Sequence, residues 1–377
     1  MNNSTFKILL IFGTRPEAIK MCPLAQTLAA NPLFEVRVCV TAQHREMLDQ
    51  VLDLFDVTPD YDLNLMRQQQ TLEWLTAAII EGTSRVIDDF QPQLVLVHGD
   101  TTTSFAAALA AFYKKVDIGH VEAGLRTGDL TSPWPEEANR KLTATLTKHH
   151  FTPTPLAADN LLAEGYSKDN IHITGNTVID ALLQTVAYNR EHNTPSLFLK
   201  KLLVKIDHKK VILITGHRRE NFGVGFENIC RALKQIALEN PHVALVYPVH
   251  LNPHVREPVK KYLEKIHNFH LIEPQDYQSF VYLMDRADII LTDSGGIQEE
   301  APALNKPVLV LRDKTERTEA LQAGTVMLVG TDSDKIIASV TQLLENPQYS
   351  PQAANPYGDG KACHHIQAHI LQYYGLI

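Results

Sequence analysis

Short apolar runs alternate with helical patterns along nearly the whole chain, and this alternation restricts the fold more than any other feature. The first half contains KILLIF, VRVCVT and LVLVH, each followed by a stretch whose apolar residues have helical spacing. The second half restarts the rhythm with VILITG, VALVYPV and DIILTD. Such alternation predicts parallel sheets covered by helices. We expect an α/β protein with two Rossmann-like lobes whose parallel sheets face a central cleft.

The length agrees with two lobes, because 377 residues correspond to two domains at roughly 150 residues each. The alternation loses regularity around YNREHNTPSLFLKKLLVKIDHKK. We place the first lobe at residues 1–175 and the second at 176–362. The amphipathic segment 363–377 is expected to be a last helix that packs back on the first lobe.

Composition argues against several classes of protein. The formal net charge is −8 and no block of Lys or Arg is present, which disfavours nucleic acid as a partner. The four cysteines lie far apart without a C-x-x-C pair, which disfavours a disulfide framework or a zinc site. No run approaches the roughly 18 apolar residues of a membrane span, and the apolar run after Lys7 is too short for a signal peptide. We expect a cytoplasmic protein with no membrane partner.

Two common nucleotide motifs are missing. No G-x-G-x-x-G follows a predicted strand, and no Walker A sequence is present. Redox chemistry through a bound dinucleotide is therefore disfavoured.

A glycine-rich turn in the second half indicates phosphate binding. The run IILTD is followed by Ser294, Gly295 and Gly296, which open a helix. Glycines let the backbone approach a ligand, and free N–H groups at a helix start attract anions. Glu299 and Glu300 follow one turn later, where a carboxylate can accept hydrogen bonds from ribose hydroxyls. A tight turn with a helix cap explains Ser-Gly-Gly equally well, but RDKTERTEA supplies an anion ligand after the next strand.

Basic side chains follow two other strands. The loop GTRPEAIK contains Arg15 and Lys20, and TGHRREN contains His217, Arg218 and Arg219. The carboxyl ends of parallel strands form the ligand-binding edge of such sheets. Each cation alone is explained by a solvated surface position. Three loops with cations at the same edge favour binding of a small anion, and His217 could also act as a general acid.

In the first lobe, acidic residues follow the strands, at helix starts whose free N–H groups favour a bound anion. Asp100 comes after LVLVH, Glu122 lies in GHVEAGLRT, and Glu136 and Glu137 begin a helix in SPWPEEANR. Acids at helix starts are often partners of the helix dipole, and this explains one of the last pair. Asp100 and Glu122 both end buried strands at the predicted ligand edge. Several carboxylates around one substrate permit proton removal and return.

Motifs across the chain resemble those of the non-hydrolysing UDP-N-acetylglucosamine 2-epimerases. They are FGTRPEAIKM, TAQHREML, VHGDTTTS, GHVEAGLRTGD, SPWPEEANR, TGHRREN, YPVHLNP, LTDSGGIQEEAP and NPYGDGKA. The resemblance runs from Lys7 to about Ala362. It implies a two-lobe fold of the glycosyltransferase B type, a homodimer, and no metal, NAD or other cofactor. It also implies reversible conversion of UDP-GlcNAc to UDP-ManNAc for surface polysaccharides such as enterobacterial common antigen.

The resemblance also implies residue roles, carried over position by position. The catalytic set would be Asp100, Glu122, Glu136 and His217. The UDP-binding set would be Arg15, Lys20, Gln275, Phe280, Ser294, Gly295, Gly296, Glu300 and Arg317. Without the resemblance, Phe280 reads as a core residue.

The expected chemistry fits the acids and cations found. The C2 proton of a pyranose has no adjacent carbonyl and is not acidic, and no NAD motif is present to create one by oxidation. The remaining route is anti elimination of UDP to 2-acetamidoglucal, followed by re-addition with a proton on the other face. We expect Asp100 and Glu122 to transfer the proton at C2, Glu136 to assist, and His217 to support the departing UDP.

Some relatives bind a second UDP-GlcNAc as an allosteric activator. The positions that would contribute here are Gln43, Gln70, Arg218 and His250. The stretch LMRQQQTL departs from relatives with Arg immediately before the final Gln, because Gln69 occupies that place.

Three alternative functions remain. The first is a retaining glycosyltransferase of the same architecture, which needs an acceptor site instead of this carboxylate set. The second is a hydrolysing epimerase, which releases free ManNAc and usually carries a kinase domain, absent at this length. The third is a catalytically silent UDP-sugar sensor, which has no need for the acids.

Overall fold

The computed structural model describes residues 5–42, 45–67, 70–192, 196–346 and 354–377. The chain forms two compact units. Unit 1 contains residues up to Ala181 together with Tyr357–Ile377, and unit 2 contains Leu182–Pro356. Each unit contains one fully parallel sheet, so the predicted pair of parallel α/β lobes is confirmed.

Unit 1 alternates strands and helices from its start. Its strands are β1 (Phe6–Phe12), β2 (Phe34–Val40), β3 (Tyr61–Asp62), β4 (Leu94–His98), β5 (Asp117–Val121), β6 (His149–Thr152) and β7 (Ile171–Ile173). Its helices are α1 (Arg15–Ala29), α2 (Arg45–Leu54), α3 (Leu72–Phe90), α4 (Thr102–Tyr113), α5 (Glu136–Leu146), α6 (Pro155–Ala163) and the start of α7 (Thr177–His192). The sheet order is β3-β2-β1-β4-β5-β6-β7.

Unit 2 repeats the plan. Its strands are β8 (Lys210–Thr215), β9 (Val243–Pro248), β10 (Phe269–Ile272), β11 (Ile289–Thr292), β12 (Val308–Val310) and β13 (Met327–Leu328). Its helices are α8 (Leu197–Lys205), α9 (Val224–Glu239), α10 (Pro253–Leu263), α11 (Tyr277–Arg286), α12 (Gly295–Glu300), α13 (Thr318–Gln322) and α14 (Ser333–Glu345). The sheet order is β10-β9-β8-β11-β12-β13. The last helix, α15 (Ala362–Tyr373), belongs to unit 1.

Both sheets reverse their strand order at one place, between β1 and β4 in unit 1 and between β8 and β11 in unit 2. In a doubly wound sheet the loops that follow these two strands diverge to opposite faces and leave a crevice, where ligands bind. This topology selects which loops can form a site in each unit.

The strands next to each reversal are buried on both faces. All five residues of β4 are buried, as are the last five of β1. Their side chains pack with α3 and α4, where Ile79 and a run of alanines from Ala106 to Ala108 lie against Leu9 and Val95. The small alanines let α4 lie close to the sheet. Burial of each large aliphatic side chain contributes about 1.5–3 kcal/mol.

The stretch that loses strand–helix regularity contains two consecutive helices, with no strand between them among the described residues. It contains the end of α7 and all of α8. In α8 the buried residues Leu199 and Leu202 recur at helical spacing, followed by Ile206 just after the helix, although lysines surround them. A narrow apolar stripe within a basic segment is easily missed.

The contacts divide the chain inside α7, between Ala181 and Leu182, whereas the sequence analysis placed the boundary before 176. They divide it again between Pro356 and Tyr357, earlier than the expected 362/363. The backbone of Asn176 explains the second position, because its N–H donates to the carbonyl of Tyr357 at 2.7 Å. The chain therefore rejoins unit 1 before α15 begins.

Within the described ranges, no helix has both the length and the apolar character needed to cross a bilayer. The four cysteines are buried and carry free thiols.

The turn after β5 depends on a glycine. Gly124 has a φ of +87°, and a Cβ there would lie 2.1 Å from the carbonyl oxygen of Ala157 on α6. Gly128, in the same connection, has a φ of +82°, but a Cβ there would meet nothing within 4 Å. Both glycines have a left-handed backbone, but only at Gly124 would a side chain clash with a neighbouring helix.

We predict that Gly124→Ala lowers the free energy of unfolding of unit 1 by about 2–5 kcal/mol. The left-handed backbone costs about 1–2 kcal/mol, and forcing apart α6 and the turn adds about 1–3 kcal/mol. Gly128→Ala is the matched control, with the backbone cost alone. Urea denaturation followed by circular dichroism measures both, and equal losses would contradict the packing argument.

Candidate active site

The carboxylate of Glu17 holds together the two loops at the strand-order reversal of unit 1. Its Oε2 accepts hydrogen bonds from the backbone N–H groups of Gly13 (3.0 Å) and Thr14 (2.8 Å), just after β1. Its Oε1 accepts from the hydroxyls of Thr101 (2.7 Å) and Ser104 (3.2 Å), after β4. Glu17 is buried, and such bonds satisfy a charge that water cannot reach. The two loops are therefore fixed relative to each other.

Arg15 and Lys20 both lie on α1, the helix that starts at this reversal, and both are half-buried. The ammonium of Lys20 forms an ion pair and hydrogen bond with Glu122, in the turn after β5. Two positions that the resemblance assigns to UDP binding and catalysis are therefore in direct contact.

Glu122 lies in a strained and polar turn. Its φ is +62°, a conformation that costs a residue with a side chain about 1–2 kcal/mol and is concentrated at functional sites. The Oε2 atom accepts from the side-chain amide of Asn176 at 3.2 Å and lies 3.5 Å from Nε2 of His98. Burial raises the pKa of Glu122, but Lys20 and His98 outweigh it and hold the pKa well below its ordinary value. Glu122 is therefore ionised at neutral pH.

Asp100 follows β4, and its carboxylate turns to a neighbouring helix instead of the start of α4. Its Oδ2 accepts from Nη2 of Arg140 on α5 at 2.5 Å. The side-chain amide of Asn139 donates to the Asp100 carbonyl at 2.9 Å. The start of α4 is capped by Thr101, whose hydroxyl accepts from the N–H of Ser104. An acid can therefore sit at this turn because Arg140 supplies its counter-charge.

The two acids that begin α5 have different surroundings. Glu137 is fully buried and accepts from Arg140 (3.0 Å) and from the backbone N–H of Gly128 (3.2 Å). Glu136 is half-buried, and its Oε2 is shielded from water without a hydrogen-bond partner among the described residues. Glu137 therefore has a structural role, whereas no hydrogen bond among the described residues fixes Oε2 of Glu136.

The buried carboxylate of Asp293 plays the corresponding part in unit 2. It lies directly after β11 and is 1% exposed. Its Oδ2 accepts from the backbone N–H groups of His217 (2.9 Å) and Arg218 (2.8 Å), and from the amide of Asn221 (3.2 Å). The hydroxyl of Tyr247 donates to the Gly216 carbonyl at 2.7 Å. The loop after β8 is thus held against the loop after β11.

His217 presents a half-exposed imidazole at this loop. Its ring stacks on His250, with centroids 5.1 Å apart and an interplanar angle of 13°. Its Nδ1 lies 3.8 Å from Oδ1 of Asp293. Burial lowers the pKa of His217, Asp293 raises it, and His250 and Arg218 lower it, so that the pKa lies below its ordinary value. The neutral imidazole is the main form at pH 7.

The glycine-rich turn begins α12, and acids and arginines surround it. A Cβ on Gly295 would lie 3.1 Å from Oε1 of Glu316 and 3.4 Å from the guanidinium carbon of Arg317. Nε of Arg317 donates to Oε1 of Glu299 at 2.5 Å. The sequence analysis offered Glu299 to a ribose, but this carboxylate pairs with Arg317. Glu300 is oriented separately, by a hydrogen bond from the hydroxyl of Tyr277 at 3.3 Å.

Gln275 lies between β10 and α11 of unit 2, and Phe280 lies on α11. Gln275 lines a cavity of about 820 Å³ together with Val249, Arg256 and Glu273. Phe280, on α11, is half-buried, so its interpretation as a core residue is wrong. Part of its surface is therefore exposed.

The positions expected to form an activator site are distributed over both units, and one of them lies outside the described residues. Gln43, and the departure at Gln69, lie outside the described residues. Gln70 is half-buried in unit 1, whereas Arg218 and His250 flank His217 in unit 2.

Three residues that matter at these loops were missed as site residues from the sequence. Glu17 could have been found from Thr14-x-x-Glu17, a capping-box pattern. Arg140 follows Glu136 at the i,i+4 spacing that places both on one face of a helix. Asp293 follows β11, just as Asp100 follows β4. None of the three signals is specific alone, because each is also common in purely structural settings.

We predict that His250→Ala raises the pKa of His217. The substitution removes a ring that lowers the pKa, and His250 is exposed, so unit 2 keeps its fold. NMR titration of the imidazole resonances measures the shift, with the exposed His364→Ala as control. An unchanged His217 pKa in His250→Ala would contradict the coupling.

Comparisons with known proteins agree with this arrangement. The family model described as UDP-N-acetylglucosamine 2-epimerase matches residues 26–371. The UDP-N-acetylglucosamine 2-epimerase of Yersinia pestis is 58% identical over 366 residues, 96% of this chain and 97% of the relative. The enzyme of the same name from Escherichia coli K12 is also 58% identical, with the same coverage.

A solved structure of a relative has a similar fold. The UDP-GlcNAc 2-epimerase from Neisseria meningitidis, crystallised with UDP-GlcNAc bound, superimposes with a TM-score of 0.84. It is 53% identical, and the match covers 97% of this chain and 100% of that one. With this sequence identity and two doubly wound units in common, the chain belongs to the UDP-N-acetylglucosamine 2-epimerase family.

Proposed function

We propose that this chain catalyses the reversible interconversion of UDP-N-acetylglucosamine and UDP-N-acetylmannosamine, by inversion at C2 of the sugar. The observation that carries the proposal is a pair of carboxylates, Asp100 and Glu122, after neighbouring strands of unit 1. A Cβ on Gly99 would lie 4.0 Å from Oε1 of Glu122, so the two loops are close. The pair occurs in a chain 58% identical to enzymes of that name.

The reaction proceeds by elimination and re-addition. A base removes the C2 proton, the C1–O bond to UDP breaks with its electron pair on the diphosphate, and a C1=C2 double bond forms in 2-acetamidoglucal. Anti elimination places the base and the leaving group on opposite faces of the ring. UDP then adds back to C1 while a proton reaches C2 from the other face. Atoms balance without any outside oxidant or reductant.

Asp100 and Glu122 are the proposed proton-transfer groups at C2. Each is already paired with a cation, Arg140 and Lys20 respectively. Glu136, with an oxygen that lacks a partner among the described residues, assists on the same side. Two carboxylates in different surroundings can act in opposite directions of the reaction, one as the base and one as the acid.

The ion pair between Lys20 and Glu122 links binding of the substrate's diphosphate to the pKa of Glu122. Lys20 lowers the pKa of Glu122, which makes the carboxylate a weak base. When the diphosphate of the substrate takes over Lys20, Glu122 loses its counter-charge and its pKa rises. A higher pKa brings the carboxylate closer to the range suited to general base catalysis at neutral pH.

Unit 2 supplies the proposed diphosphate and nucleoside site. The backbone N–H groups of Gly295 and Gly296 are suited to phosphate oxygens, and Arg317 adds charge. Ser294 lies at the same turn and offers its hydroxyl, because its N–H donates to the hydroxyl of Thr292 at 3.0 Å. His217, neutral at pH 7, donates a ring N–H to the departing UDP. The remaining proposed contacts of the UDP moiety are Arg15, Gln275, Phe280 and Glu300.

Three further properties are proposed from the resemblance. The first is a homodimer, supported by exposed apolar side chains on α4 and α5: Phe112 is 54% exposed, Tyr113 66% and Leu142 48%. The second is activation by a second UDP-GlcNAc through Gln43, Gln70, Arg218 and His250. The third is a role in the cytoplasm, making precursors for surface polysaccharides such as enterobacterial common antigen.

Incubation of the purified protein with UDP-GlcNAc in D₂O, followed by proton NMR, tests the function. We expect UDP-ManNAc to appear with deuterium at C2, because the abstracted proton exchanges with solvent. Free ManNAc with UDP would indicate a hydrolysing epimerase instead. Absence of turnover with either UDP-sugar would contradict the proposal and leave a glycosyltransferase or a UDP-sugar sensor.

We predict that Asp100→Asn and Glu122→Gln each lower kcat by about 10²–10⁴-fold, the usual contribution of a positioned acid or base. This corresponds to about 3–5 kcal/mol of activation free energy. Steady-state epimerisation measures kcat, and circular dichroism checks the fold. The matched control is Asp88→Asn, which removes an exposed carboxylate paired with Lys114. Near-normal turnover of folded Asp100→Asn would exclude Asp100 from proton transfer.

A further inference from the structure

Three histidines of unit 1 converge where α15 meets the sheet. They are His149 at the start of β6, His172 in β7 and His369 on α15, and one ring nitrogen of each lies within 4.8 Å of the others. Nδ1 of His149 is 3.1 Å from Nε2 of His369. The centroids of the His172 and His369 rings are 3.6 Å apart. The cluster joins two strands to the last helix of the chain.

Hydrogen bonds outside the cluster determine the tautomer of His149. The hydroxyl of Tyr374 donates to Oδ2 of Asp117 at 2.7 Å, so its oxygen is free to accept. Nε2 of His149 lies 3.2 Å from this oxygen and donates to it. Nδ1 therefore carries the lone pair and faces His369. A ring N–H held by a carboxylate-linked partner is how proteins orient metal-binding histidines.

The other two rings have nitrogens suited to a ligand. Nε2 of His172 is buried without a hydrogen-bond partner among the residues that the structure describes. Nε2 of His369 donates to Nδ1 of His149 at 3.1 Å. A metal ion between the two rings would replace this hydrogen bond, with the His369 proton carried on Nδ1 of its own ring. The buried Nε2 of His172 costs free energy unless something binds it.

Burial keeps the three rings neutral, although Asp117 raises the pKa of His149. The neutral form is the one that binds metals. Burial lowers the pKa of His149 to about 3 and that of His369 to about 4, with a further lowering by the neighbouring rings. Burial also lowers the pKa of His172. Lys148 is the cation beside His149, and its ammonium is paired with Asp117 at 2.7 Å.

We propose that His149, His172 and His369 bind one divalent transition-metal ion that fastens α15 to the sheet of unit 1. Imidazole donors suit Zn²⁺, Cu²⁺ and Ni²⁺. Two nitrogens each 2.0–2.1 Å from a tetrahedral Zn²⁺ are roughly 3.3 Å apart, close to the 3.1 Å between His149 and His369. Three protein ligands leave the fourth position of a tetrahedral ion to water.

The proposed ion is structural and does not depend on the proposed reaction. His149 begins β6, whereas the proposed catalytic acids follow the carboxyl ends of β4 and β5. The resemblance implies chemistry without a metal, and this site leaves that unchanged. Its effect is to stabilise the packing of the last helix, because an ion that binds only the folded state stabilises it.

The test is a titration of the metal-stripped full-length protein with ZnCl₂ and, separately, CoCl₂. We expect one Zn²⁺ per chain, and a rise in Tm of about 5–10 °C at a hundredfold excess over Kd. Bound Co²⁺ should give the visible absorption of a tetrahedral site. The variants are His172→Gln and His369→Gln, with the exposed His364→Gln on the same helix as the matched control.

The metal-dependent shift, not the absolute Tm, decides the outcome, so destabilised variants stay informative. Loss of the shift and of the Co²⁺ spectrum in both cluster variants, but not in His364→Gln, supports the site. Because the two cluster variants remove ligands from different elements, failure of one to fold leaves the other. No binding, or binding that survives both cluster variants, would overturn the proposal, whether or not the protein epimerises UDP-GlcNAc.

Discussion

Two buried carboxylates hold the loops on which both units depend. Glu17 and Asp293 lie at the strand-order reversals of their sheets, and each accepts two backbone N–H groups from the loop after the first strand of its unit. An unpartnered ion in such a place would cost several kcal/mol. The hydrogen bonds compensate this cost and fix the loop backbones. Side chains at these loops therefore have defined positions before any ligand arrives.

The proposed chemistry uses a second set of charges, which form ion pairs that a ligand can break. Lys20 pairs with Glu122, Arg140 with Asp100, and Arg317 with Glu299. A phosphate group can compete for each of these cations. Substrate binding would then change the proton affinity of the carboxylate left behind. In this proposal each ion pair neutralises its two charges until a phosphate of the substrate takes the cation.

The positions of the candidate site residues after their strands were accessible from the sequence, because strands, turns and helix starts have local signatures. The run LVLVH followed by Gly99 and Asp100 fixes a residue at the carboxyl edge of a strand whatever its neighbours are. The partner of that residue is not local. Arg140 lies forty residues later, and only the packing of α5 beside the turn brings it to Asp100. The same limit concealed Glu299 as the partner of Arg317, since a helix start alone does not show which of two adjacent acids turns inward.

The sequence by itself determined the alternation of strands and helices, the two lobes and the residues that follow each strand, because these follow from periodicity and turn chemistry within short segments. Its long contiguous motifs also determined the family. The tertiary structure alone decided which polar side chains meet: Lys20 with Glu122, Glu137 with Arg140, and three histidines from β6, β7 and α15. These pairings join residues far apart in the chain. They depend on strand order and helix packing, which the whole core selects through the free energy of burial.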